Sequence, residues 1–257
     1  MADTKISALT ASATPPLAAD EIPVNEAGTS KKVTITQLFT APVIAAQDAT
    51  HEALKMTPSA TLMTTPTDGA IEMDNDCLYA STDAGNRGVV PVEHICRADT
   101  TRTFTSNTAQ QAIFTTPANG TLTLEVGCYT FKCLVAMTSM SATAGNGKFS
   151  LIGAGTATLG SILWGAFGAD IAANGTVVAD GGAWSDVATQ TAADLILNTT
   201  GTAMFAVIEG TFEVTVAGTI IPSFAQTTAA AAVVSVGSYF KCRRIGSTTL
   251  TSVGQWT

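Results

Sequence analysis

Ionised side chains are scarce in this sequence, and several other signals are missing. Only 12% of the 257 residues are Asp, Glu, Lys or Arg, roughly half of the ~25% usual in soluble globular proteins. No apolar run approaches the ~20 residues that a membrane-spanning helix needs, and the first residues do not predict a signal peptide. Because 46% of the residues are apolar, most of the chain is expected to fold around a buried core.

Signals for catalysis, cofactors and metals are also missing. The two histidines, His51 and His94, stand in no metal-ligating spacing, and there is no Gly-x-Ser-x-Gly motif. The five cysteines include no Cys-x-x-Cys pair, so they are expected to be small buried side chains. We therefore expect no enzyme, no catalytic residue, no metal site and no cofactor.

The few charges are unevenly distributed. Net charge is −8, of which −7 falls in residues 1–100 and −1 in residues 101–257. An acidic chain without a basic stripe is a poor candidate for binding nucleic acid. Only 13 charged residues lie in 101–257, which is few for the coat of a soluble monomer. We expect part of that surface to face other copies of the chain.

Composition and pattern divide the chain into an extended N-terminal arm (residues 1–40), a connector (41–100) and a body (101–257). In the arm, residues 22–24 and 33–35 are predicted to pair as strands across a turn at Gly28. In the connector, residues 43–55 favour a short helix, and residues 70–80 predict a small hairpin that turns at 75–76.

The body predicts an all-β sandwich similar to a jelly roll, with very little helix. Apolar residues alternate with period two in 121–126, in 211–216 and, after a phase change at Gly127 that suggests a bulge, in 129–137. Further strand-like runs cover residues 148–152, 161–167, 203–208 and 238–245. Turn residues recur between the runs, Gly181 and Gly182 among them. Trp164 and Phe167 are expected in the core.

Two groups of acids leave a binding role open. Four acids lie close together in the connector: Asp68, Glu72, Asp74 and Asp76. They could bind calcium or form the carboxylate pair of a glycosidase. Exposed acids of a hairpin give the same pattern. Four others are expected in turns of the body, where one could help to bind a sugar or an ion: Asp170, Asp180, Asp186 and Asp194.

One tryptophan is a candidate for contact with a ligand. Trp184 follows Gly181-Gly182-Ala183 and is expected near a loop, where its ring could stack on a sugar. Packing in the core or in an interface is the alternative.

The arm resembles a leader found at the start of many tailed-bacteriophage fibre and appendage proteins, where it marks the end that fastens to the virion. The matching segments are Lys-Ile-Ser-x-Leu at 5–9, Ala-Asp-x-x-Pro-Val at 19–24 and Gly-x-x-Lys-Lys-Val-Thr at 28–34. The resemblance assigns virion anchoring to Lys5, Ile6, Leu9, Asp20, Ile22, Pro23, Val24, Gly28, Lys31, Lys32, Val33, Ile35 and Leu38.

Two further segments resemble parts of the same class of proteins. Residues 61–74 with Leu78-Tyr79 look like a hairpin of phage fibre shafts, although Met73 stands where an aromatic residue is common and Ala80 where Phe is usual. Residues 236–241 and 245–256 are similar to the closing strands of their C-terminal domains.

The resemblance implies a homotrimeric virion structural protein, assembled in the host cytoplasm: a short tail, collar or head fibre attached through its N-terminus, with a jelly-roll-like head. The implied partners are other copies of the chain, virion proteins at the arm and a host surface glycan or receptor, without nucleic acid or membrane insertion. A capsid decoration protein and a host-glycan or receptor-binding module are alternatives. A capsule depolymerase is least favoured, because neither a long β-helical body nor a carboxylate constellation is evident.

Overall fold

The structure is a computed structural model of the chain. It describes residues 21–26, 29–34, 55–83, 85–116, 118–142, 147–151, 154–171, 177–187, 195–197, 201–249 and 252–253. For 21–34, 118, 169 and 171–197 it describes the backbone alone. The chain divides into two compact units, Met1–Met56 and Thr57–Thr257.

The first unit contains a β-hairpin. Strand β1 (Glu21–Glu26) pairs antiparallel with β2 (Thr29–Thr34), and Ile22 lies opposite Val33. Residues 22–24 thus lie opposite 31–33. The predicted hairpin is confirmed, but of the predicted partner segment 33–35 only Val33 faces residues 22–24. The helix predicted over 43–55 lies outside the described residues, apart from Lys55.

The second unit begins with a small antiparallel sheet in the connector, made of β3 (Ile71–Met73), β4 (Leu78–Asp83) and β5 (Asn86–Val90). The predicted hairpin is β3–β4. The carboxylate of Asp74 accepts hydrogen bonds from the backbone amides of Asp76 and Cys77, at 2.7 and 2.6 Å, and so closes the turn between the two strands. This local bonding is why Asp and Asn suit the position.

Fourteen strands follow in the body: β6 (Glu93–Arg97), β7 (Arg102–Thr103), β8 (Gln111–Ala112), β9 (Leu122–Leu124), β10 (Gly127–Thr138), β11 (Gly147–Ser150), β12 (Thr158–Ile171), β13 (Val177–Val187), β14 (Leu195–Leu197), β15 (Met204–Val216), β16 (Gly218–Ile220), β17 (Ser223–Gln226), β18 (Val233–Val234) and β19 (Tyr239–Gly246). The described part of the body has no helix beyond a single 3-10 turn at Ala118–Gly120. The prediction of an all-β body is confirmed.

Eight of these strands have the connectivity of a jelly roll. In chain order they are β6, β8, β10, β11, β14, β15, β17 and β19. In one sheet the order of neighbours is β6, β19, β10 and β15. In the other sheet it is β8, β17, β11 and β14. This alternation between two sheets is the double Greek key of a jelly roll.

The first of these sheets, called the large sheet below, extends beyond the jelly roll. A hairpin of β12 and β13, inserted between the fourth and fifth strands, pairs with the free edge of β15. The short strands β18 and β7 continue the opposite side, where β10 pairs with β18 and β18 with β7. β10 is therefore the central strand, with β15 on one side and β19 on the other.

Aromatic rings fill the space between the sheets. Phe131 on β10 stacks on Phe149 of the second sheet, with ring centroids 6.3 Å apart, and Phe149 meets the edge of Trp164 at 5.7 Å. The alternation predicted for β10 is confirmed, because its odd-numbered side chains are all buried: Tyr129, Phe131, Cys133, Val135 and Met137. Pairing with β19 shifts register between Cys128 and Tyr129, next to the bulge predicted at Gly127.

Two predictions about the body are wrong. Gly181 and Gly182 do not form a turn but lie within β13, opposite Gly168 and Phe167 of β12. Phe167 is not a core residue, since 51% of it is exposed, whereas Trp164 is buried as predicted. The two side chains are an odd number of positions apart on one strand, so they lie on opposite faces of the sheet.

Arg244 fastens the connector to the body. Its guanidinium donates to the Asp76 carboxylate and to the Val126 carbonyl, and also to the Asp76 carbonyl at 3.3 Å. A side chain at Gly127 would block this path, because its Cβ would lie 2.5 Å from Nε of Arg244. One residue of β19 thus joins the turn of the β3–β4 hairpin to the loop before β10.

Replacing Gly210 by alanine is expected to destabilise the body. Gly210 lies opposite Trp164, and a Cβ there would stand 2.2 Å from the Leu163 carbonyl oxygen. Overpacking of this kind costs about 1–3 kcal/mol, which urea unfolding would measure. Gly88→Ala is the control, because a Cβ there meets nothing within 4 Å. Equal stability of the two variants would contradict the close approach of β12 and β15.

Replacing Arg244 by alanine is expected to loosen the connector while the body stays folded. Loss of charge-assisted hydrogen bonds, each worth about 1.5–3 kcal/mol, should speed amide hydrogen exchange in β3–β5 and leave β10 protected. Arg243→Ala is the matched control, since the Arg243 guanidinium bonds Thr130 in the body. Unchanged exchange in the connector of R244A would show that other contacts hold it.

Candidate functional site

The surface best placed to bind a partner is the outer face of the large sheet, the face turned away from the second sheet. Side chains of a strand alternate between faces, so the buried residues of each strand identify those on the outer face. By strand, they are Leu163, Gly165 and Phe167 of β12; Phe205, Val207, Glu209, Thr211 and Glu213 of β15; Thr130, Lys132, Leu134 and Ala136 of β10; Tyr239, Lys241 and Arg243 of β19; and Glu93, Ile95 and Arg97 of β6.

One half of the outer face is apolar. A row of cross-strand neighbours runs from Phe167 through Val207 and Leu134 to Tyr239. Phe205 and Ala136 pair directly beside this row. Neighbouring aromatic and branched side chains on a sheet contribute to its stability, but no second layer of the described chain covers them. The row is a contiguous apolar strip that is exposed at Phe167 and half-buried at Val207, Leu134 and Tyr239.

The other half of the outer face carries charged side chains together with the exposed apolar residues Leu163 and Ile95. Glu209, Lys132 and Lys241 form the next row. Lys132 Nζ lies 3.5 Å from the Glu209 carboxylate, and Lys241 Nζ lies 3.0 Å from that of Glu93. Both pairs are partly exposed, and such pairs contribute about 0–1 kcal/mol. They neutralise the two lysines that the sheet places side by side.

Two charged side chains of this half have no ion-pair partner among the described residues. The Nε–H of Arg243 donates to the Thr130 hydroxyl at 3.3 Å, and Glu93, opposite Arg243 in register, is bonded to Lys241. Glu213 lies two positions beyond Thr211 on β15 and forms no salt bridge with another described residue. An acid on β15 and a base on β19 are therefore available to a partner.

The acids of the connector serve its own fold. Glu72 binds both Arg87, at 2.7 Å, and the backbone amide of Met63, at 2.8 Å. The Met63 hydrogen bond and then Arg87 hold the pKa of Glu72 below its usual value. Asp74 caps the turn and accepts from the Tyr79 hydroxyl at 2.8 Å.

Titration of Asp74 reflects two opposed effects. Burial raises its pKa, but hydrogen bonds from the amides of Cys77 and Asp76 and from Tyr79 lower it more. Burial and the Asp74 carboxylate raise the pKa of Tyr79. Among the described residues, no group of three or more His, Cys, Asp or Glu side chains is placed to hold a metal ion. Glu72 and Asp74 are thus bonded within the connector itself, as the hairpin interpretation of these acids expects.

The other predicted acids and Trp184 lie in strands. Asp170 is a buried residue of β12, and Asp180 and Asp186 belong to the backbone of β13. Trp184 is also within β13, opposite Gly165, rather than near a loop. Its side chain and residue Asp194 lie outside the described part of the chain. The expectation that these residues occupy turns is wrong for the three aspartates and for Trp184.

The hairpin of the first unit contains part of the predicted anchor. Ile22, Pro23 and Val24 lie on β1, and Lys31, Lys32 and Val33 lie opposite them on β2. The remaining anchoring residues lie outside the described part of the chain: Lys5, Ile6, Leu9, Asp20, Gly28, Ile35 and Leu38.

The cysteines are free thiols. Burial raises the pKa of Cys133 and raises that of Cys242 to about 12. Thiols with raised pKa values are poor nucleophiles. His94 is an exposed residue of β6, and His51 lies outside the described residues. The expectation of small buried side chains holds for Cys77, Cys133 and Cys242, while Cys96 and Cys128 are half-buried.

Sequence reasoning did not identify the outer face as a surface. The sequence feature that indicates this face is the set of residues that alternate with the buried positions of β10, β15 and β19. Lys132, Lys241 and Arg243 alternate with core residues, and on β15 so does Glu209. Reading these intervening positions together requires the strand order, which depends on pairings between segments about a hundred residues apart.

Comparison with known proteins identifies no family. The chain matches no protein-family model and no curated protein sequence. Among solved structures it is similar to infectious bursal disease virus of the Gx strain, at 11% identity and a TM-score of 0.16, over 70% of this chain and 45% of that one. A VP2 subviral particle of the same virus matches at 13% identity and a TM-score of 0.15, over 72% and 48%. The chain thus spans about half the length of the structures it matches, and similarity at this level identifies neither a shared fold nor a shared function.

Proposed function

We propose that this chain is a structural protein of a bacteriophage virion: a short homotrimeric fibre, fastened to the particle through residues 1–40, with a jelly-roll body and no catalytic role. The observation that carries the proposal is the partly exposed apolar strip on the outer face of the large sheet. Phe167, which is 51% exposed, lies there at one end of the apolar row that continues across β15 and β10, and Leu163, which is 53% exposed, lies opposite Thr211 on the same face.

Association of copies through this face explains its composition. Each Å² of apolar surface removed from water contributes about 25 cal/mol, so a contiguous apolar strip favours burial. The same association protects sheet edges from unwanted pairing. It also accounts for the shortage of charge in residues 101–257, because a surface buried between copies needs no charged side chains to stay soluble.

The arm supports attachment to another virion protein. In the described residues β1 and β2 pair only with each other, and an isolated two-stranded hairpin is marginally stable in water. Such a segment gains stability when a partner surface packs against it. Three arms on one trimer would bind together more tightly than one alone.

Wild-type chain is expected to have three times the single-chain mass of 26.2 kDa in light scattering after size exclusion. Phe167→Glu should weaken association by about tenfold or more, because a charge would be buried among apolar side chains. Phe167→Leu is the control and should remain trimeric. A single-chain mass for the wild type would refute the trimer, and an unaffected Glu variant would exclude this face.

Deletion of residues 1–40 is expected to separate assembly from attachment. The shortened chain should keep its trimeric mass, because the body is unchanged, and should be missing from particles purified from cells that produce it. The full-length chain in the same cells is the control. Incorporation of the shortened chain at the full-length level would overturn the anchoring role of the arm.

A further inference from the structure

We propose that strand β6 is a docking edge for a second copy of the chain. In this contact β6 of one copy pairs antiparallel with β6 of the other about a twofold axis at Ile95, and the large sheet continues from one copy into the next. The contact uses the edge of the sheet rather than its outer face. It is therefore independent of the proposed homotrimer, and it joins a chain of one assembly to a chain of another.

Strand β6 is a border strand of the large sheet. In the described part of the chain it pairs with β19 alone. Just beyond β6, the amide of Ala98 donates to the Ser238 carbonyl at 2.8 Å. Because hydrogen-bonded positions alternate along an antiparallel pair, the backbone N–H and C=O groups of Glu93, Ile95 and Arg97 point away from β19. A row of such groups is a template for another strand.

This edge is accessible to a partner. Ile95, at the middle of β6, is 64% exposed, and Val92, just before the strand, is 62% exposed. Natural edge strands avoid pairing through prolines, bulges or charged side chains. The strand contains no proline and pairs with β19 without a shift of register. Its charged side chains remain, and they determine which strand can pair with it.

The side chains of β6 are complementary to the same strand in the reverse direction. With Ile95 opposite Ile95 of the partner subunit, Glu93 lies opposite Arg97 of the partner subunit, and Arg97 lies opposite the partner's Glu93. Opposite charges at facing positions stabilise a sheet. Arg97 forms no ion pair with another described residue, so its guanidinium is available to this contact.

The same charges disfavour other arrangements of the two strands. The outward-pointing groups belong to odd-numbered residues, so an antiparallel pair can slip only by two positions at a time. A slip of two places Ile95 opposite a charged residue and leaves charges unmatched. A parallel pair in register places Glu93 opposite Glu93 of the partner subunit, and like charges that face each other are destabilising. A second copy in one register is thus the occupant that β6 fits.

Ile95→Cys tests the position of the twofold axis. Facing Cα atoms at a hydrogen-bonded position lie about 5.5 Å apart, within the range that a disulfide spans. The full-length variant, oxidised with diamide, should give a two-chain band on a non-reducing denaturing gel. Wild type, with its five native cysteines, sets the background.

Val92→Cys is the matched control. Val92 is as exposed as Ile95, but the proposed register separates it from its own copy by six positions, or about 20 Å along the strand. V92C should therefore give at least about fivefold less of the two-chain band. Bands of equal intensity, or no band above background for I95C, would overturn the twofold contact.

Glu93→Arg and Arg97→Glu test the pairing of charges. A strand of five residues buries little surface, so the contact is weak and is measured by sedimentation velocity at high concentration. Each single variant brings like charges together and should weaken association between assemblies by about tenfold at low salt. A mixture of E93R with R97E brings opposite charges together at both positions and should return to within about threefold of the wild type.

The outcomes separate this contact from the proposed function. A mixture as weak as its components would overturn the pairing of β6 with β6. A trimer whose I95C variant does not cross-link would overturn the edge contact and leave the trimer intact. A wild type of single-chain mass at low concentration, with I95C still cross-linking, would instead refute the trimer and support the edge contact. Circular dichroism would establish that each variant keeps its β structure.

Discussion

The period of two along β10 is the constraint on which the rest of the structure depends. Burying Tyr129, Phe131 and the alternate residues after them against the second sheet commits the intervening side chains to the opposite face. Because β15 and β19 pair with β10 over most of its length, their side chains alternate between the same two faces. The same alternation therefore determines both the buried core and the outer face. A one-residue shift in the register of a strand would move its core side chains to the outer face.

Arg244 connects this pattern to the rest of the second unit. It follows the alternating residues of β19 at the point where β10 pairing shifts register, and its guanidinium turns toward the Asp76 loop. A bulge changes the direction of side chains locally. Here the Arg244 side chain contacts the connector instead of lying on either face of the sheet. The orientation of the connector is thus fixed by the strand that also carries the bases of the outer face.

Local patterns predicted the parts of the fold that depend on local chemistry. The buried face of β10, the hairpin at Asp74 and the pairing of Ile22 with Val33 all follow from alternation and turn residues. The hairpin of β12 and β13 was misread at Gly181 and Gly182, because glycine usually marks turns. In the sheet they lie opposite Gly168 and Phe167, so a neighbouring strand overrides the local preference. The outer face required the complete strand order and was missed for that reason.

On such a surface, the apolar strip favours association and the charges determine which arrangement of copies is formed. Burial of Phe167 and Val207 is non-directional, so it favours any contact that removes them from water. Charges discriminate between arrangements, because a wrong one leaves a desolvated charge unpaired or like charges together. Five of the 13 charged residues of 101–257 lie on this face: Lys132, Glu209, Glu213, Lys241 and Arg243. In a body with so few charges, their concentration beside the apolar strip is what would select one packing of copies over the others.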